Sequence, residues 1–261
     1  MAAKTHSSPR RTFQSFVSIV RRLRRECPWD SKQTHRSLRS GLIEEAYEAV
    51  ESITHRNIPH LQEELGDLLL HIVLHAVIAE QSREFTLDDI IKGISEKMIR
   101  RHPHIFGTAR VTSEAEVLKN WQQIKMAEGR ISVLEGVPSS LPALLRAKRL
   151  QERASSVGFD WSHPEDVWKK VREELEELRE SLDGQSRDRR EEEFGDLLFS
   201  LVNYSRFLGI DPEHALTRAN KKFDRRFKHV ERTLRRKGSS PAESSLEEMD
   251  AIWDAAKRSR R

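Results

Sequence analysis

The feature that most constrains this chain is an acidic pattern that occurs twice. In the second half, Glu174 and Glu177 are followed by Glu193 and Asp196. Each of these acids lies at the same distance, 129 residues, after a counterpart in the first half, namely Glu45, Glu48, Glu64 and Asp67. The carboxylates keep this register while most residues between them differ. The sequence therefore predicts an internal repeat and two similar domains.

The spacing within each copy indicates two helices. Acids three residues apart lie on one face of a helix, and a turn separates the two acidic stretches, at residues 57–59 in the first half and 183–185 in the second. Helices joined by a short turn pack antiparallel, so the four carboxylates of each copy can meet. Clustered carboxylates repel one another unless a cation lies among them. An all-oxygen ligand set favours Mg²⁺, with Mn²⁺ as the alternative.

Helical periodicity extends over the whole chain, and no stretch alternates with the period of a strand. We predict helices that begin near residues 13, 38, 61, 86, 113, 141, 187, 211 and 245, in addition to the acidic helix around Glu174. Residues 136–142, rich in Pro, Gly and Ser, form the best linker. The expected organisation is all-α, with a disordered basic segment at 1–11, a first domain at 12–136 and a second, catalytic domain at 137–261.

The composition excludes several classes of protein. Charged residues make up 34% of the chain, and the net charge is only +4, so bulk charge does not predict nucleic-acid binding. A single cysteine, Cys27, excludes an internal disulfide and fits a reducing cytoplasm. We expect no membrane span, because no apolar run approaches the required length.

Cations and tryptophans at helical spacing follow the acids in each half. The pairs are Lys222 with Arg226 and Trp253 with Lys257 in the second half, and Lys97 with Arg101 and Trp121 with Lys125 in the first. Alone, such pairs are typical of solvated cationic faces and buried core tryptophans. Beside clustered carboxylates, they suit a phosphate-rich ligand with a base that stacks on an aromatic ring. A nucleotide has both properties.

These motifs resemble the MazG family of nucleoside triphosphate pyrophosphohydrolases. The resemblance is carried by E-E-x-x-E at 173–177 and 44–48 and by E-x-x-D at 193–196 and 64–67. The strings at 27–30, 101–106, 157–161 and 222–227 are similar to the long tandem bacterial form. The resemblance covers residues 13–257. It implies two tandem four-helix domains intertwined in a homodimer, and Mg²⁺-dependent hydrolysis of nucleoside triphosphates to monophosphate and pyrophosphate by the second domain.

The resemblance also implies roles for individual residues. The metal ligands would be Glu174, Glu177, Glu193 and Asp196, while Glu173 would support them or position the attacking water. The nucleotide ligands would be Lys170, Arg189, Arg190, Lys222, Arg225, Arg226, Trp253 and Lys257. Stacking on Trp253 tolerates any base, which fits a broad range of NTP and dNTP substrates. A second candidate site comprises Glu45, Glu48, Glu64, Asp67, Lys97, Arg101 and Trp121, and its independent turnover stays open.

Three other interpretations remain. A narrower dUTP- or dCTP-preferring enzyme or a phosphoribosyl-ATP pyrophosphohydrolase would use the same acids. A carboxylate-bridged di-iron protein would need Glu-x-x-His pairs; His71 and His75 follow Asp67, but the second half has no histidine at the matching positions. A helical nucleic-acid-binding protein would use the basic stretch at 221–237, which Asp224 and Glu231 dilute.

Overall fold

The computed structural model of the chain describes residues 12–129 and 131–258. Every regular element in these ranges is an α-helix or a short 3₁₀ turn, with no strand among them, which confirms the all-α prediction. The chain divides into two compact units, Met1–Arg110 and Val111–Arg261. The domain limits at residues 136 and 137 stay a prediction, and the segment 1–11, predicted to be disordered, lies outside the described residues.

The first unit contains five helices in its described part. They are α1 (Phe13–Glu26), α2 (Arg39–His55), α3 (Ile58–Ser82), α4 (Leu87–Arg101) and α5 (Pro103–Phe106). The Thr12 hydroxyl accepts a hydrogen bond from the Ser15 amide at the start of α1, and the helix ends before Pro28, which cannot continue it. Thr86 and Asp89 form the predicted capping box of α4.

Helix α3 is the centre of the first unit and packs against α1, α2 and α4. Val73, Ala76 and Ala79 are fully buried in it, as expected for an almost continuous apolar sequence. By length and composition alone, α3 is also apolar enough to cross a membrane, so our expectation that no run approaches that length was wrong. The core helix of a globular unit passes the same test, and α3 carries Glu64 and Asp67 in its first turns.

The second unit contains six helices in its described part. They are α6 (Glu114–Ala127), α7 (Ala143–Ser155), α8 (Pro164–Ser181), α9 (Arg187–Phe207), α10 (Pro212–Arg236) and α11 (Leu246–Arg258). Helices α8 and α9 form the closest pair, α7 packs on α9, and α10 packs on α7 and α11. The predicted turn between α8 and α9 includes Gly184 at a positive φ of 82°, a conformation that residues with a Cβ rarely adopt.

Candidate active site

The turn at Gly184 places the acids of α8 and α9 side by side. Carboxylate oxygens of Glu174, Glu177 and Glu193 all lie within 4.8 Å of one another. Glu174 and Glu193 are buried, with exposed fractions of 6% and 3%, and Glu177 is half-buried. Asp196, one turn after Glu193 on α9, is more exposed and lines an adjacent cavity.

Two cations contact the buried acids. The Lys170 ammonium lies 2.8 Å from Oε1 of Glu174 and 2.6 Å from Oε1 of Glu173. The Arg189 guanidinium pairs with Glu193 and also lies 3.2 Å from Oε2 of Glu192. Hydrogen bonds to Glu173 and Glu174 raise the pKa of Lys170, so this side chain is charged at neutral pH.

Neither Lys170 nor Arg189 forms an ion pair with Glu177. It has no hydrogen-bond or ion-pair partner among the described residues. Loss of hydration and the neighbouring charge of Glu174 raise its pKa. Three converging carboxylates with residual repulsion provide the oxygen donors that a hard divalent cation prefers. The cluster therefore fits the metal that the sequence predicts.

The first unit has a matching cluster with different counter-charges. Oxygens of Glu45, Glu48 and Glu64 lie within 4.8 Å of one another. Burial, a hydrogen bond with Glu45 and repulsion from Glu48 raise the pKa of Glu64 to about 7. The Nδ1 of His60, a side chain that is charged only when protonated, lies 3.1 Å from Oε1 of Glu64. In the repeat register, His60 corresponds to Arg189, and Gly41 corresponds to Lys170.

A cavity of about 370 Å³ opens beside the acids of the second unit. Lys170, Glu174 and Asp196 line its acidic end, and its other walls come from α7, α9 and the segment before α8. These walls are mostly apolar and include Leu150, Phe159, Trp161, Val167, Phe199 and Asn203. Sequence reasoning missed this cavity because its residues come from elements far apart in the chain; the only signal was the Val157–Trp161 string.

Comparison with protein families settles the relationship of the chain to known proteins. The family model of the MazG nucleotide pyrophosphohydrolase domain matches residues 33–106 and 162–231, one match in each half of the chain. Together these matches cover more than half of the sequence. The chain belongs to the MazG family.

Relatives of this MazG protein extend over nearly its full length. The nucleoside triphosphate pyrophosphohydrolase/pyrophosphatase MazG of Thermotoga maritima is 47% identical over 250 residues, 94% of this chain and 95% of the relative. The nucleoside triphosphate pyrophosphohydrolase of Escherichia coli K12 is 41% identical over 254 residues, 93% and 96% of the two chains. Uncharacterized protein YabN of Bacillus subtilis is 49% identical over 95% of this chain and 52% of its own length. The predicted family and tandem arrangement are confirmed, and the chain is an enzyme.

The other predicted nucleotide ligands of this MazG protein take no part in the ion pairs described above. Lys222 and Arg225 on α10 are exposed, and the Arg226 guanidinium carbon is 5.6 Å from the ring centroid of Trp253. Trp253 also contacts the Phe223 ring at 5.2 Å and packs against the α10–α11 core. Lys257 pairs with Asp254 at 2.8 Å. Arg190, at the start of α9, is exposed.

The cations and the tryptophan predicted for the second candidate site are divided between the two units. Lys97 and Arg101 lie on α4 of the first unit and are half-buried. Trp121 lies on α6 of the second unit, where the Lys125 ammonium is 3.8 Å from its ring centroid. The predicted pairing of Trp121 with Lys125 is thus present as a cation–π contact. The assignment of these residues to a second nucleotide site stays a prediction.

Proposed function

We propose that this MazG enzyme hydrolyses nucleoside triphosphates to nucleoside monophosphate and pyrophosphate, and that the second unit carries the reaction. The observation that supports this most directly is the convergence of Glu174, Glu177 and Glu193 at the end of a cavity that can take a nucleoside. The Thermotoga maritima and Escherichia coli relatives, both named nucleoside triphosphate pyrophosphohydrolases, support the substrate class.

Glu174, Glu177, Glu193 and Asp196 are the proposed ligands of Mg²⁺, with Mn²⁺ as the alternative ion. When bound, the metal would supply charge neutralisation for the triphosphate and a water of lowered pKa for attack on phosphorus. Lys170 and Arg189 hold the carboxylates in position by their ion pairs, and their long side chains can turn to phosphate oxygens as negative charge develops. Glu173 fixes the Lys170 ammonium through its 2.6 Å contact. The exposed charges of Arg190, Lys222 and Arg225 support a role in binding the outer phosphates.

The cavity beside the acids is the proposed nucleoside pocket. The Phe159, Trp161 and Phe199 side chains offer apolar surface that any base can contact, which supports a broad NTP and dNTP range. Gln151 adds one polar group: its Nε2 donates to the Phe199 carbonyl at 2.8 Å, and its buried Oε1 has no hydrogen-bond partner within the part of the chain that the structure describes. That oxygen can accept a hydrogen bond from an N–H group of the nucleoside. Trp253 was the sequence-based candidate for base stacking, and it remains one.

A homodimer is proposed from an exposed apolar stripe that recurs in both units. On α9, Phe194, Leu198 and Leu201 are 53%, 41% and 41% exposed, and their spacing of four and three residues places them on one face. The matching stripe on α3 consists of Leu65, Leu69 and Ile72, also exposed. Large apolar side chains aligned in this way indicate a protein–protein interface, and the repetition favours a second copy of the chain. The single cysteine supports a cytoplasmic location.

One assay tests the proposed reaction. Glu193→Gln should reduce Mg²⁺-dependent pyrophosphate release from a panel of NTPs and dNTPs by more than about a hundredfold, since a metal ligand supports several kcal/mol of transition-state stabilisation. Glu64→Gln, the same change at the same position of the other repeat, is the matched control and should leave most of the activity. The reverse pattern would assign turnover to the first unit, and full activity in both variants would contradict the proposal.

A further inference from the structure

Three histidines of the first unit lie together outside the acidic clusters. His71 and His75 are one turn apart on α3, so they share a helix face, and their ring centroids are 6.5 Å apart. His35, in the segment before α2, has its ring parallel to that of His75, with centroids 5.0 Å apart. The proposed pyrophosphohydrolase reaction gives none of them a role.

His35 and His75 are joined by a hydrogen bond between their Nδ1 atoms, which are 2.7 Å apart. The other nitrogen of His75, Nε2, is buried and has no hydrogen-bond partner among the described residues. A proton on that nitrogen would be a buried donor without an acceptor, which is costly. We therefore assign the proton of His75 to Nδ1, where it is donated to His35, and a free lone pair to Nε2.

His71 provides a second nitrogen of the same kind. Its Nδ1 is also buried and lacks a hydrogen-bond partner among the described residues. The Cε1–Nε2 edge of the ring, next to Nδ1, lies against Gly41 of α2, where an added Cβ would be 2.9 Å from Cε1 and 3.1 Å from Nε2 of His71. The glycine leaves the room that this ring position requires. The matching residue in the second unit is Lys170, and Ser200 and Tyr204 replace the two histidines.

We propose that His71 and His75 form a site for a borderline transition-metal ion such as Zn²⁺, Co²⁺ or Ni²⁺, and that His35 positions His75 by accepting its Nδ1 proton. Two imidazoles on one ion, with metal–nitrogen bonds of about 2.1 Å, have ring centroids roughly 5 to 6 Å apart. The observed separation is 6.5 Å, so binding requires the two rings to move closer together by side-chain rotation. A ligating histidine that donates its other N–H to a neighbour is the usual arrangement at metal sites.

The chemistry of this site separates it from the carboxylate clusters. Imidazole suits Zn²⁺, Ni²⁺ and Co²⁺, whereas Mg²⁺ prefers oxygen ligands. A metal-binding histidine must be neutral. The hydrogen bond between the Nδ1 atoms of His35 and His75 and the buried, unpartnered Nε2 of His75 among the described residues leave a lone pair on Nε2 for the metal. The first unit would then bind a metal of a different class from the second.

Titration of the full-length protein with Co²⁺ in a large excess of Mg²⁺ tests the site, because Mg²⁺ occupies the carboxylates and bound Co²⁺ absorbs visible light. We expect a saturable absorption band. His71→Gln and His75→Gln should each weaken Co²⁺ binding by at least about tenfold, the lower limit found when ligand support is lost. His35→Leu should weaken binding by about ten- to a hundredfold, while His35→Gln, which keeps an acceptor oxygen, should preserve the band.

His60 provides the matched control, because it lies beside Glu63 and Glu64 in a group that could hold the same ions. His60→Gln should leave the Co²⁺ band unchanged. Circular dichroism in a chelator establishes which variants fold, and His71→Gln and His75→Gln test the site independently of each other. The proposal is overturned if no band forms, if the band survives in a folded His71→Gln or His75→Gln variant, or if it is lost in His60→Gln.

Discussion

Lys170 and Glu174, one turn apart on α8, form an ion pair with 2.8 Å between Nζ and Oε1. The first unit has Gly41 at the position of Lys170 and His60 at the position of Arg189. The repeat therefore conserves its clustered carboxylates between the two halves of one chain but not their counter-charges. This difference gives the two clusters distinct responses to mutation, pH and metal.

Replacement of Lys170 tests the built-in cation. Lys170→Met should lower the free energy of unfolding in a chelator by roughly 1 kcal/mol, because the pair is partly exposed and its contribution is screened by solvent. Mg²⁺ should then raise the Tm of the variant more than that of the wild type, since the ion replaces the missing charge. Lys169→Met removes an exposed ion pair with Asp166 on the same helix, and should leave the stability almost unchanged. Equal Mg²⁺ responses in wild type and Lys170→Met would contradict the prediction.

The raised pKa of Glu64 predicts a pH-dependent stability in the absence of metal. Its folded-state pKa of about 7 exceeds the ordinary value of 4.5, so the folded state binds a proton that the unfolded state has lost. The stabilising effect is fully present below pH 4.5 and disappears as the pH rises through 7. Chemical unfolding in a chelator should show that Glu64→Gln, which cannot ionise, loses less stability than the wild type between pH 5 and 8. Identical pH profiles would show that Glu64 ionises normally.

Gln151 should affect nucleoside binding without affecting the chemistry at phosphorus. Gln151→Met removes the hydrogen bond to the Phe199 carbonyl and the oxygen proposed to accept from the nucleoside, at nearly constant volume. We expect KM for NTPs to rise about five- to tenfold, the equivalent of about 1 kcal/mol, with kcat little changed. Tripolyphosphate, which has no nucleoside, is the comparison substrate. If tripolyphosphate is hydrolysed, its rate of hydrolysis should be the same in the variant and the wild type. If it is not cleaved, it should inhibit NTP turnover equally in both. A change of equal size with both compounds would place the effect outside the nucleoside pocket.

A charge in the exposed apolar stripe should weaken self-association. Leu198→Glu places a carboxylate between Phe194 and Leu201, and burying it at an interface is costly. Light scattering coupled to gel filtration should show the dimer dissociating at protein concentrations at least about tenfold higher than for the wild type, a loss of about 1.4 kcal/mol or more. Lys169→Glu, outside the stripe, is the control. A wild-type protein that is monomeric at all concentrations would remove the basis of the prediction.

The helices could be predicted closely because their signals are local. The helix predicted to begin near residue 187 is α9, Arg187–Phe207, with Ser186 as its cap. The predicted helix after Asp211 is α10, with Pro212 in its first turn. The acid cluster was also predictable from the repeat, and the Lys170–Glu174 pair follows from i, i+4 spacing.

The surroundings of the cluster depend on packing between distant elements and could not be predicted in the same way. Gln151 of α7 meets the backbone of Phe199 on α9 across 48 positions of sequence, and no periodicity encodes that contact. The basic residues of α10 show the opposite case. The i, i+4 spacing of Lys222 and Arg226 could be recognised in the sequence. The contact of Arg226 with Trp253 of α11 could not, because sequence alone does not show which helix packs against a given helix face.

The exchange of Arg189 for His60 has a consequence for how each half would take up a divalent ion. In the second unit an incoming ion displaces permanent positive charges, so uptake is an exchange of cation for cation. In the first unit the cluster around Glu64 holds a proton near neutrality, and an incoming ion must expel it. Occupancy of the first half would then follow the acidity of its surroundings, whereas that of the second would follow ionic strength.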